Sequence, residues 1–88
     1  MDNREFDERT EAIVRALLPR IPDKYASGFE GTLAGGELEV ALEDLVYTVV
    51  DDQVVVSEWE RDVLVELARN SSSGDELLEK LRSLAIGD

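Results

Sequence analysis

Between Asn3 and Leu18 the apolar residues Phe6, Ile13, Leu17 and Leu18, with Ala12 and Ala16, recur at three- and four-residue steps. That spacing places them on one face of an α-helix, which Pro19 brings to an end. Pro22 suits the first turn of a second helix, where its missing N–H needs no partner. This helix runs to Ala34 with Tyr25, Phe29 and Leu33 at four-residue steps. Gly28 and Gly31 weaken it, each by about 1 kcal/mol relative to alanine. Gly35 and Gly36 close the segment, because glycine accepts the left-handed conformation that ends a helix.

A third helix begins at Glu37, with Leu38, Ala41, Leu42, Leu45 and Val49 as its buried stripe. Val54, Val55 and Val56 are β-branched, but three residues without an evident pairing partner fit an extended connector better than a strand. Ser57 and Glu60 have the spacing of a capping box, so a fourth helix starts there, with Val63, Leu64, Leu67 and Ala68 facing inward. Trp59, beside that apolar face, reads as a core residue, with an interface position as the alternative. After the polar breaker Asn70–Gly74, Ser73 and Glu76 repeat the capping-box spacing and open a last helix through Leu77, Leu78, Leu81, Leu84 and Ala85. The expected fold is all-α, a compact bundle of four to five short helices in one domain spanning residues 1–88.

Composition narrows the chemistry. The absence of cysteine and histidine removes thiolate and imidazole metal ligands, the cysteine nucleophile and the commonest general base. The glycines between Gly28 and Gly36 do not make a phosphate loop: no Lys-Ser/Thr pair follows, and Glu30 and Glu37 repel an anion. Glu43, Asp44, Asp51 and Asp52 lack the order of a calcium-binding loop. Paired carboxylates also need a substrate cleft that so small a helical domain seldom supplies. No enzyme, metal or cofactor is therefore expected. The charged start MDNREFDERT lacks the pattern of a signal peptide, and no apolar run reaches membrane-spanning length, so a cytoplasmic setting is expected.

Charge is the informative feature. Nine Lys and Arg against 21 Asp and Glu give a net charge of −12, which disfavours nucleic acid and anionic lipid and favours a basic protein partner. From Tyr25 to Glu60 there is no cation at all, while nine carboxylates accumulate. On the third helix Val40, Glu43, Asp44, Tyr47 and Asp51 form a second stripe beside the buried one. An aromatic side chain among acids has the makeup of a binding anchor with a steering rim. The candidate contact residues are thus Glu39, Val40, Glu43, Asp44, Tyr47, Asp51 and Asp52. Core packing is the alternative role for Tyr47.

Several stretches then resemble the small bacterial immunity proteins of the MafI-like type. They are Phe29 and Gly36-Glu37, Ala41-Leu42-Glu43 with Leu45, the hydrophobic connector to Val56-Ser57, and Glu60 with Val63, Leu64 and Leu67. Val55-Val56-Ser57 stands where those proteins carry an Ile-Pro-Ile-Ser-like segment. The resemblance covers about two-thirds of the chain. It implies a cytoplasmic antidote that binds and neutralises a cognate toxin, often a nuclease, without catalysis. The other function these residues fit is an acidic helical adaptor for a basic host protein.

Overall fold

The structure, a computed structural model, describes residues 1–87. Five α-helices are joined by short turns: α1 Asn3–Leu17, α2 Ala26–Ala34, α3 Leu38–Asp51, α4 Glu58–Arg69 and α5 Gly74–Leu81. The expected all-α bundle of short helices is the architecture observed. No helix among the described residues is long and apolar enough to cross a membrane.

Local chemistry sets most of the helix ends. Asp2 caps α1 by accepting the Glu5 N–H at 2.8 Å. The second helix starts later than Pro22: that residue instead precedes a 3₁₀ turn at Asp23–Tyr25, and the α-helix begins at Ala26. At its far end Glu37 donates to Thr32 O and Gly36 to Leu33 O, a Schellman closure that places Gly36 at φ +71°. The same closure ends α3, where Val54 donates to Val49 O and Gln53 to Val50 O. Gln53 takes the left-handed position there, at φ +53°. The Ser57–Glu60 capping box forms as expected, with Glu60 N donating to Ser57 Oγ at 3.1 Å and Ser57 N to a Glu60 carboxylate oxygen at 2.8 Å.

The capping box expected at Ser73 does not form. Ser73 has φ −103° and ψ +26°, not the extended backbone of a capping residue, and its hydroxyl donates to Glu43 instead. Its neighbour Gly74 is constrained by close approach: a β-carbon there would lie 2.6 Å from Ala68 O.

The last helix also ends before Leu84 and Ala85, for a reason that lies in the connector. Val56 is fully buried, and its two backbone groups need partners. They find them in the chain's last residues: Val56 N donates to Ala85 O at 3.0 Å and Gly87 N to Val56 O at 2.9 Å. One isolated parallel bridge, Val56 with Ile86, results, without a strand among the described residues.

Helices α1, α3, α5 and α4 pack in a ring, each against the next, so the α1–α4 seam lies across the bundle from the α3–α5 seam; α2 leans on α3 from outside. Ile13, Val14 and Leu17 of α1 meet Leu42, Leu45, Val46 and Val49 of α3 and Leu64, Leu67 and Leu77 of α4 and α5 in one continuous core. Trp59 is not part of it. The buried face of α4 runs through Glu60, Leu64, Leu67 and Ala68, and Trp59, one residue round from Glu60, points outward with 70% of its surface exposed.

A candidate protein-binding surface on α3 and α5

Residues 39, 43, 47 and 51 lie one turn apart along α3, on the edge that meets α5 and the turn before it. Each engages a successive position of that neighbour. Glu39 accepts the Ser72 N–H at 3.1 Å and the Ser72 hydroxyl at 2.7 Å. Glu43 accepts the Ser73 hydroxyl at 3.1 Å. The Tyr47 hydroxyl donates to Glu76, and Asp51 pairs with Lys80 at 2.6 Å. Both sets of numbers ascend together, so α3 and α5 run parallel. The Lys80 ammonium also lies 5.2 Å from the centre of the Tyr47 ring, within range of a cation–π contact.

Four of the seven candidate residues therefore form a polar ladder within the molecule. The hydroxyl group of Tyr47 is held protonated above its ordinary range, chiefly by the hydrogen bond to Glu76, then by desolvation and the charges of Glu76, Glu43 and Asp51. Tyr47 is half-buried, with its ring against the core and its hydroxyl bonded to Glu76 in the seam.

Val40, Asp44 and Asp52 stand outside the ladder. Val40 is exposed, and Asp52 occupies the C-terminal cap of α3. Asp44 faces α2 at the edge of a hollow of about 420 Å³ that also includes Lys24, Tyr25, Gly28 and Tyr47. Desolvation, and then the charge of Glu43, raise its carboxyl above the usual range.

The nine carboxylates between Tyr25 and Glu60 do not make one patch. Glu30 pairs with Arg15 at 3.2 Å, Glu60 with Arg20, and Asp51 with Lys80. The pair of helices remains strongly negative because α5 adds Asp75, Glu76 and Glu79. The two helices together carry seven carboxylates and one cation, Lys80. Serines satisfy Glu39 and Glu43 without neutralising them.

Sequence reasoning missed Ser72, Ser73, Glu76 and Lys80 as partners of the α3 stripe. Glu76 and Lys80, one turn apart on a helix rich in leucine, carried the available signal. Among the described residues no group of three or more acidic side chains could hold a metal ion. Comparison with protein-family models, with curated proteins and with solved structures finds no match for this chain.

Proposed function

We propose that this protein is an immunity-type inhibitor that binds a basic partner, a cognate bacterial toxin domain, through the α3–α5 face. The observation that carries the reading is the imbalance of charge on the two helices that form that face, seven carboxylates to one lysine, around a half-buried tyrosine. A nuclease domain presents cations where it holds phosphate, and an acidic surface seated on those cations excludes the substrate. Long-range attraction accelerates the encounter, and desolvation around Tyr47 holds the complex. Inhibition by occlusion needs no catalytic group. The resemblance of the α3 and α4 segments to MafI-like immunity proteins supports the same reading.

The charge test uses residues free of the ladder, so that its hydrogen bonds are left in place. Asp44→Lys combined with Asp52→Lys should slow association with the cognate toxin domain about tenfold at low salt, and flatten its salt dependence. Tyr47→Ala should chiefly speed dissociation. Stopped-flow and surface-capture kinetics separate the two effects. If toxin inhibition is indifferent to all three substitutions, the contact lies elsewhere. If only a basic host protein binds this face, the adaptor function replaces the antidote.

A further inference from the structure

The hollow between α2 and α3 adjoins the acidic face, and Tyr47 belongs to both. It measures about 420 Å³, at the lower end of the roughly 300–1,000 Å³ of ligand sites. Two sets of residues with one spacing line it: Tyr25, Gly28 and Phe29 from the start of α2 and the turn before it, and Asp44, Tyr47 and Thr48 from α3. Each set lies at i, i+3 and i+4, along one helix face. From an unpaired carboxylate, two tyrosine rings and an open glycine wall brought together here, we infer that the hollow receives one arginine side chain of a protein partner, its guanidinium on Asp44. The inference rests on the basic partner proposed above and names the group by which that partner is held.

Asp44 supplies the charge. It is exposed, so an incoming cation reaches it, and its carboxylate has no hydrogen bond or ion pair among the described residues. Its neighbours differ: Glu43 has the Ser73 hydroxyl, and Asp51 has Lys80. Partial desolvation and the charge of Glu43 disfavour the ionised form of Asp44, and a guanidinium with two parallel N–H donors relieves both.

The aromatic walls suit the same group. Lys24 lies 5.1 Å from the centre of the Tyr25 ring and Lys80 5.2 Å from that of Tyr47, so both rings already hold an ammonium. Lys24 also lines the hollow, but it is exposed and engages Tyr25, not Asp44, so an arriving side chain can displace it. Arginine fits better than lysine, because one planar group both stacks on a ring and bonds a carboxylate bidentately.

Gly28 supplies the room. Its backbone is not left-handed, and a β-carbon there would meet nothing within 4 Å. Neither strain nor close packing therefore calls for glycine at this helical position, where it costs stability. The missing side chain leaves that wall of the hollow open.

Titration of the full chain with N-acetyl-arginine amide, followed by heteronuclear NMR, tests the hollow without any partner. Saturable shifts should centre on the amides of Gly28 and Thr48, with a dissociation constant on the order of 10 mM, as suits one isolated side-chain contact. N-acetyl-lysine amide should bind at least about threefold more weakly. Asp44→Asn should weaken the arginine probe about fivefold, and Gly28→Leu, which fills the hollow, should abolish its binding. Gly31→Leu is the control: Gly31 lies on the same helix outside the hollow, and a β-carbon there also meets nothing within 4 Å. Against the cognate toxin domain, Gly28→Leu should weaken binding about tenfold and Gly31→Leu leave it unchanged. An arginine probe that gives no saturable shift, or that is matched by the lysine probe or by sodium phosphate, overturns the inference. So does binding of the probe or of the toxin domain undiminished by Gly28→Leu. A toxin domain that fails to bind the wild-type chain sinks the antidote reading instead, and the titration still decides for the hollow.

Discussion

Arg20 and Glu60 close a two-pronged ion pair that ties the turn after α1 to the first turn of α4. Arg20 also donates to Val55 O at 3.1 Å, and Glu60 is at the same time half of the α4 capping box. One carboxylate thus anchors a helix start, the connector before it and the preceding turn.

This pair makes stability depend on pH in a defined direction. The Arg20 guanidinium, chiefly through its hydrogen bond, and then Ser57 hold the Glu60 carboxyl below its usual range, against the opposing effect of burial. A carboxyl whose value is lowered by folding contributes fully above the unfolded value, about 4.3, and the contribution is lost as pH falls through the folded one. Glu60→Gln keeps the capping geometry but loses the charge. It should cost about 1.5 kcal/mol at neutral pH, a figure held down by the partial exposure of Arg20. Urea unfolding at pH 7 and pH 3 checks this: the gap between variant and wild type should narrow at the lower pH.

The helix positions and most core residues were legible in the sequence because the apolar spacing of α1, α3 and α4 leaves one inward face apiece. The Ser57–Glu60 box was equally clear, since both partners lie within one turn. Features that depend on packing were not. Ser73 has the same local signal, yet the approach of Gly74 to Ala68 O and of Glu43 to the serine hydroxyl draws it out of capping geometry. Trp59 follows a helical pattern whose phase is set by Glu60, a charged residue drawn inward by Arg20, and hydrophobicity alone turns that phase the wrong way. The α3 stripe was visible as a stripe, but its coverage by α5 depends on which helices become neighbours.

Gln53 has a left-handed backbone that a side chain disfavours, held by the Schellman hydrogen bonds at the end of α3 and by the burial of Val49 and Val54 on either side. Gln53→Gly should relieve this conformation and raise stability by about 0.5–1 kcal/mol, net of the greater freedom glycine has when unfolded. Thermal unfolding should show a gain of a few degrees. A loss would mean that the glutamine side chain contributes more than the backbone costs.

Thr10 lies fully buried on the inner side of α1, and its hydroxyl has no hydrogen-bond partner among the described residues. Burying an unpaired hydroxyl is unfavourable, and valine has nearly the same shape without it. Thr10→Val is therefore expected to stabilise the chain by about 1 kcal/mol, whereas Thr10→Ala, which leaves a cavity, should destabilise it. Chemical denaturation of the two variants tests the pair. Equal destabilisation by both would show that the hydroxyl is satisfied after all.

Tyr47 connects the charge of the α3–α5 face with its shape. Its proton lies in a hydrogen bond to Glu76, and ionisation would place a phenolate among Glu76, Glu43 and Asp51, which is why it titrates above the ordinary tyrosine value. For a phenol raised by folding, the associated stability is present below that ordinary value, about 10, and disappears as pH climbs through the folded one. Glu76→Gln should lower the Tyr47 value, as read from ultraviolet absorbance of the phenolate in a Tyr25→Phe background. The same substitution removes one charge from the face while leaving the ring in place, so partner association should slow modestly with dissociation nearly unchanged, in contrast to Tyr47→Ala. If Glu76→Gln instead speeds dissociation as much as Tyr47→Ala, the contribution of the tyrosine to binding lies in its ordered hydroxyl, and the ladder itself is part of the contact.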